Sequence, residues 1–157
     1  MSFVIAIDPG PEQSGWARLH EDGSLIEAGV WPNLKLLSSL TVGQLGNRLA
    51  IEMIASYGVS VGKSVFETCV WIGRFQQAWY KPQQVRLIYR KDVKIAVCET
   101  HKANDANVRE ALIERFGKPG TKTRPGPTYG ITSHAWPAIA VGVTALKTSN
   151  PRRSATK

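Results

Sequence analysis

Four consecutive apolar residues, Val4 to Ile7, lead directly into the carboxylate of Asp8. A run of this kind, rich in β-branched side chains, is typical of a strand that is buried on both faces. The segment from Pro9 to Pro11 breaks this strand, and the residues from Ser14 to Leu19 are predicted to form a second one. The pattern therefore places Asp8 at the end of a buried strand, beside a tight turn.

Three further strands follow from the alternation of apolar and polar positions. The Asp22-Gly23 pair predicts a hairpin turn, so that residues 3–30 form a three-stranded antiparallel meander. Residues 48–55 are predicted to be a strand, with a helix as the competing interpretation. Residues 84–89 alternate in the manner of another strand.

Apolar residues at helical spacing predict five helices along the rest of the chain. They cover residues 33–40, with Asn33 as the cap, residues 63–80, residues 92–97, a segment from Asn104 or Asp105 to Phe116, and a last helix that begins at Ser133. Residues 41–47 and 118–128 are predicted loops, and the second is expected to be mobile and basic. Strands that alternate with helices indicate an α/β fold.

The length of 157 residues favours one domain, and 43% hydrophobic with 20% charged residues indicates a globular chain. We expect this domain to span residues 1–148 and a basic flexible tail to span residues 149–157. Cys69 and Cys98 fit no metal-ligand spacing and are expected to be buried, reduced thiols. Because no apolar run is long enough for a membrane span and no charged leader precedes the first strand, we expect a cytoplasmic protein.

The formal net charge of +8 favours a polyanionic partner, most often a nucleic acid, over a merely basic soluble protein. Lysines before the helix at Asp105, and cations in the loop at 118–128, are the candidate phosphate contacts. These residues are Lys91, Lys94, Lys102, Lys118, Lys122 and Arg124.

Four residues at the ends or in the middle of predicted elements could carry chemistry: Asp8, Glu52, Asp105 and His134. Glu52 is the single acidic residue among the apolar positions of its strand, and burying it is costly unless it meets a cation. Three of them have a structural alternative: Asp8 could cap its own turn, Glu52 could face solvent, and His134 could bond the backbone at a helix start.

These positions, in this order, resemble the RNase H-like nucleases, and among them the RuvC-type Holliday-junction resolvases, in particular their short phage-borne relatives. The resemblance extends to about Lys147. Four stretches carry it: AIDPGPEQSGWA at 6–17, AIEMIASYGVSVG at 50–62, KANDANVREALIERFG at 102–117 and GPTYGITSHAW at 126–136.

The resemblance implies a mixed five-stranded sheet, with the meander at one side and helices on both faces. It also implies that Asp8 and Glu52 hold a divalent metal, with a third ligand from the start of the last helix, where this chain has His134. An aspartate of RuvC is replaced here by Pro137, which cannot bind a metal, and Asp105 is the candidate replacement.

The expected activity is metal-dependent hydrolysis of phosphodiester bonds in four-way DNA junctions. Two Mg²⁺ ions would stabilise the attacking and leaving oxygens, and Mn²⁺ is the alternative because imidazole suits transition metals better. His134 could instead act as a general base.

Two symmetric cuts imply a homodimer, active in recombination and repair in a bacterial or phage-infected cytoplasm. The alternatives are a nuclease for flaps, forks or RNA–DNA hybrids, and a junction-binding protein that does not cleave. A sugar-kinase or actin-like ATPase is disfavoured because 157 residues leave no room for a second lobe.

Overall fold

The structure is a computed structural model that describes residues 2–42, 47–132 and 134–148. Its strands are β1 (Phe3–Asp8), β2 (Gln13–His20), β3 (Leu25–Pro32), β4 (Arg48–Met53) and β5 (Arg86–Tyr89). Its helices are α1 (Asn33–Leu40), α2 (Lys63–Ala78), α3 (Arg90–Cys98), α4 (Asp105–Phe116) and α5 (Ala135–Lys147), with a short 3-10 turn at Pro82–Gln84.

All five strands join one sheet in the order β3-β2-β1-β4-β5. The pairs β1–β2 and β2–β3 are antiparallel, which confirms the predicted meander. The pairs β1–β4 and β4–β5 are parallel. The segment that begins at Arg48 is therefore a strand and not the competing helix, and the expected mixed five-stranded sheet is confirmed.

Successive side chains of a strand point to opposite faces of the sheet, and both faces are covered here. Val4 and Ala6 of β1 belong to a core that contains the buried sides of α3, α4 and α5. Ile5 and Ile7 belong to a second core, which is built with α1 and α2. Helices on both faces are thus confirmed, and β1 is buried on both sides as its apolar run predicts.

Several boundaries differ from the predictions. The N-cap position of α1 is occupied by Pro32, and Asn33 is buried with its side chain bonded elsewhere, so its predicted role as a cap is wrong. The helix α3 begins two residues before the predicted Asp92, directly after β5. The cap of α4 is Asn104, whose side chain accepts from the N–H of Asn107 in a capping box.

The predicted basic loop at residues 118–128 folds back on itself. Gly120 and Pro125 form an isolated antiparallel bridge, and the N–H of Gly126 donates to the carbonyl of Pro119. Cys69 and Cys98 are free, as expected, but they are only half-buried.

Three predicted features lie wholly or partly outside the described residues: positions 43–46 of the predicted loop, the cap at Ser133 and the tail at 149–157. Among the described helices, none is long and apolar enough to cross a membrane.

Candidate active site

Asp8 and Glu52 lie side by side because β1 and β4 run parallel. Ala6 pairs with Ala50, and Asp8 and Glu52 follow two residues later on each strand, on the same face of the sheet. Adjacent strands are about 4.8 Å apart, so the register brings the two carboxylates together. This face is the one that α3, α4 and α5 cover.

A cavity of about 480 Å³ opens at this end of the sheet and brings together all four predicted site residues. Asp8 and Glu52 enter it from the strand ends, Asp105 from the start of α4, and His134 from the residue before α5. The prediction that these four positions share one site in the fold is therefore supported by the cavity lining.

Burial raises the pKa values of both carboxylates. Burial raises the pKa of Asp8 to about 7; the charge of Glu52 raises it as well, and the charge of Arg90 opposes both. Burial also raises the pKa of Glu52, against the charge and hydrogen bond of Arg90 and the charge of Lys94. Two neighbouring carboxylates with raised pKa values favour a bound cation or a shared proton.

The guanidinium of Arg90 contacts two of the predicted site residues. Its Nη1 lies 3.3 Å from Oε1 of Glu52, and its Nη2 pairs with Oδ1 of Asp105. Oε2 of Glu52 is buried and has no hydrogen-bond partner in the described part of the chain. Glu52 therefore lines the cavity and does not face solvent, and one of its oxygens has no partner among the described residues.

A small hydrogen-bond network fixes the turn that follows Asp8. Ser14 Oγ accepts from the N–H of Gly10 at 3.2 Å and donates to Asn33 Oδ1 at 2.6 Å. Asn33 Nδ2 donates to the carbonyl of Gly10 at 2.9 Å. The turn amide of Gly10 is thus bonded by Ser14 and not by Asp8, which leaves the carboxylate of Asp8 available to the cavity.

His134 occupies the N-cap position of α5, but its side chain makes no capping hydrogen bond, and the residue is exposed. The backbone at this point is held against β2, because a Cβ on Gly15 would overlap the carbonyl oxygen of His134. The close contact of Gly15 with His134 therefore sets where α5 begins relative to Asp8.

No family model and no curated protein matches the sequence. Among solved structures, Thermus thermophilus RuvC is similar with a TM-score of 0.68 and 18% identity, over 90% of this chain and 92% of that one. The same protein in complex with a Holliday junction substrate gives a TM-score of 0.67 and 16% identity, over 90% and 91% of the two chains.

The chain has the RuvC fold. The alignments cover nearly all of both chains, so the sheet and the helices around the cavity belong to the shared architecture. The resemblance that the sequence indicated is thereby confirmed for the fold.

On this RuvC fold, the donor set suits a hard divalent cation. Mg²⁺ is commonly held by one or two carboxylates, with water and substrate phosphate as its other ligands. Asp8 and Glu52 provide such a pair, with a buried unpartnered oxygen on Glu52. Within the described residues, no three His, Cys, Asp or Glu side chains lie close enough together to hold a metal by themselves.

The predicted phosphate contacts fall into separate groups on the RuvC fold. Lys94 lines the cavity, whereas Lys91 and Lys102 are exposed and do not belong to its described lining. Lys118 follows the end of α4 that is remote from Asp105, since twelve helical residues span about 18 Å. Neither Lys118 nor the exposed Lys122 and Arg124 contribute to the described lining of the cavity.

Sequence reasoning missed several residues of this site. Arg90 follows the last parallel strand directly, and that position at a carboxyl end could have indicated its place in the cavity. Arg109 and Trp136 form part of the cavity wall, with the Arg109 guanidinium 5.4 Å from the indole ring centroid. Only tertiary packing brings α4 and α5 together, so no local signal identifies that pair.

Proposed function

We propose that this chain is a divalent-metal-dependent endonuclease that cuts branched DNA, with four-way junctions as the preferred substrate. One observation carries the proposal: half-buried Asp8 and buried Glu52 form a carboxylate pair at the ends of adjacent parallel strands, with one oxygen of Glu52 left without a partner among the described residues. The RuvC fold supports it, since a relative of that fold has been solved in complex with a Holliday junction substrate.

The proposed metal is Mg²⁺, with Mn²⁺ as an alternative, and up to two ions per site. Bound there, it would neutralise charge at the scissile phosphate and lower the pKa of a water molecule. Asp8 and Glu52 would hold it, and His134 is the candidate third ligand or, alternatively, the general base.

The cations of the cavity bind the backbone of the DNA in this proposal. Lys94 and Arg109 line the same cavity as the carboxylate pair, so a phosphate that approaches Asp8 meets positive charge on α3 and α4. The net charge of +8 adds long-range attraction for nucleic acid. Trp136, an apolar side chain of the cavity wall, would limit access of water to a phosphate bound there.

We also propose that the enzyme acts as a homodimer, because two symmetric cuts need two sites. The large apolar residues Phe66 and Val70 are 61% and 62% exposed, one turn apart on α2, and Tyr57 and Val59 are exposed in the preceding segment. Sedimentation velocity should give a dimer for the parent chain and a monomer for Phe66→Glu.

The proposed cellular location is the cytoplasm of a bacterium or of a phage-infected host, where recombining DNA is found.

A second candidate is a junction-binding protein that does not cleave. Two observations favour it: Pro137 cannot act as a ligand, and no three-residue metal group is present in the described part of the chain. Binding and cleavage therefore have to be measured separately.

The test incubates the protein with a synthetic four-way junction, a fork, a flap, an RNA–DNA hybrid and plain duplex, each with Mg²⁺, Mn²⁺ or EDTA. We expect metal-dependent cuts in the junction, and no cutting by Asp8→Asn, which should still bind. Asp92→Asn is the matched control, since it makes the same change at an exposed position of α3 outside the cavity lining. Binding without cuts under any metal would favour the second candidate, and preferred cutting of another substrate would replace the junction.

A further inference from the structure

Arg90 is the first residue of α3 and follows β5 without a connecting loop. Because β5 runs parallel to β4, Arg90 enters the cavity at the same edge of the sheet as Glu52. The proposed metal chemistry assigns no role to this guanidinium. Its contacts nevertheless place it between two carboxylates that were both candidate metal ligands.

The guanidinium is divided between these two carboxylates. Nη1 lies 3.3 Å from Oε1 of Glu52, and Nη2 pairs with Oδ1 of Asp105. Oε2 of Glu52 takes no part in these contacts and remains buried without a partner among the described residues. Glu52 is therefore fixed through one oxygen, while its other oxygen makes no hydrogen bond to the described residues.

The two carboxylates differ sharply in environment. The side chain of Glu52 is 11% exposed, whereas that of Asp105 is 76% exposed at the start of α4. In the ranges that the structure describes, no three acidic, histidine or cysteine groups lie close enough together to hold a metal. Asp105 thus lies at the rim of the cavity, with its carboxylate engaged by Arg90.

We propose that Asp105 is not a metal ligand but the anchor of Arg90, which is a positioning residue that fixes Glu52 through Oε1 and leaves Oε2 for the metal. This inference rests on the proposed function, in which Asp8 and Glu52 hold the ion. A guanidinium can bind both oxygens of one carboxylate through two parallel N–H groups. The contact with Asp105 draws Nη2 away from that arrangement.

The anchor makes a specific consequence testable. In Asp105→Asn, Arg90 loses its second carboxylate, and its fork can close on both oxygens of Glu52 and cover Oε2. Metal binding should then weaken by about tenfold, as is usual when a partner of a ligand is lost. Glutamine at position 90 can still donate one N–H to Oε1 of Glu52 but lacks the fork that covers both oxygens, so Arg90→Gln should restore the affinity of Asp105→Asn to within about threefold of the parent chain.

The experiment measures Mn²⁺ affinity without DNA, from the electron paramagnetic resonance signal of the free ion. The proteins are the parent, Asp105→Asn, Arg90→Gln, Asp8→Asn and the two double variants that carry Arg90→Gln. Asp8→Asn with Arg90→Gln is the matched control, because it makes the same charge changes at a proposed ligand. It should stay as weak as Asp8→Asn alone, and thermal melts in EDTA confirm that each variant is folded.

Rescue of Asp105→Asn but not of Asp8→Asn supports the inference. Three outcomes overturn it: parent-like affinity in Asp105→Asn, equal weakening by Asp105→Asn in both backgrounds, or equal rescue of both aspartate variants. If Asp8→Asn binds Mn²⁺ as tightly as the parent chain, the proposed metal centre itself fails, which is a separate result.

Discussion

At the scale of single residues, the position of Asp8 decides both its charge and its use. The side chain ends a strand that is buried on both faces, next to a second buried carboxylate. Water solvates it poorly there, and burial raises the pKa of Asp8 to about 7 from an ordinary value of 3.8. The ionised form of Asp8 is therefore destabilising to the fold when no cation is bound.

This cost predicts a pH-dependent effect of Asp8→Asn on stability. Because the pKa of Asp8 is higher in the folded state, its contribution is fully present below pH 3.8 and is lost as the pH rises through about 7. In EDTA, the variant should be more stable than the parent chain at pH 8, by up to about 4 kcal/mol. The advantage should shrink towards pH 4.5.

Urea denaturation at both pH values measures this difference, with Asp92→Asn as the exposed control that should show little change. If the gain in the free energy of unfolding of Asp8→Asn is the same at pH 4.5 and pH 8, burial does not raise the pKa of Asp8.

His134 allows a prediction about metal preference. If its imidazole is a ligand, the site carries one negative charge fewer than an all-carboxylate site and favours Mn²⁺ over Mg²⁺. His134→Asp should keep cleavage, raise the ratio of Mg²⁺ to Mn²⁺ activity and extend activity to lower pH, since protonation of an imidazole expels metal. His134→Ala should lose most of the rate with either metal.

Junction cleavage rates with each metal, from pH 5.5 to 8.5, test this prediction. His101, an exposed histidine outside the cavity lining, gives the control variant His101→Ala. Parent-like rates in His134→Ala with both metals would remove His134 from the site.

At the scale of elements, the local sequence pattern predicted each element whose pattern lies within a single segment of the chain. The apolar run at 4–7, the Asp22-Gly23 turn and the helical spacing within α2 and α4 all lie in single segments, and the structure has each of them. The same logic placed Asp8 at the end of its strand and Glu52 within a later strand, whereas the adjacency of the two strands is seen only in the sheet.

The local sequence pattern did not predict the role of a side chain that bonds a segment distant in sequence. Asn33 has the composition of a helix cap, but it bonds Ser14 and Gly10, which are more than eighteen residues away along the chain. The ion pair of Arg90 with Glu52 likewise joins β4 to the start of α3. Such contacts depend on the packing of the whole sheet, which no window of sequence contains.

The contact between β2 and α5 predicts the effect of a single methyl group. A Cβ on Gly15 would overlap the carbonyl oxygen of His134, whereas a Cβ on Gly73, in α2, would meet nothing within 4 Å. Gly15→Ala should therefore displace the start of α5 and lower stability by about 1–3 kcal/mol. Gly73→Ala should be neutral or stabilising by up to about 1 kcal/mol.

Chemical denaturation and junction cleavage of both variants check this. If Gly15→Ala matches Gly73→Ala in stability and rate, the close approach of β2 and α5 is not required for the site.

At the scale of the whole molecule, charge is distributed unevenly around the cavity. The net charge is +8, yet two carboxylates, half-buried Asp8 and buried Glu52, line the cavity. Nearby cations come from α3 and α4, whereas Lys118, Lys122 and Arg124 lie in a folded-back segment beyond the far end of α4. A branched DNA is large enough to contact both groups at once, which a mononucleotide is not.

This arrangement leads to the last prediction, on the salt dependence of junction binding. Each phosphate neutralised by a cation adds about −0.9 to the slope of log K against log salt. Neutralising Lys118, Lys122 and Arg124 to glutamine should lower junction affinity and make the slope shallower by up to about 2.7. Stability should change little, because these side chains are exposed and contribute nothing to the hydrophobic core.

The matched control neutralises Lys35, Lys63 and Lys81, which are also exposed and lie outside the cavity lining. Fluorescence anisotropy of a labelled junction with Asp8→Asn, which should bind without cutting, gives the slopes. A loop variant with the parent slope would place the DNA contacts at the cavity rim alone, where Lys91, Lys94 and Lys102 would then have to supply them.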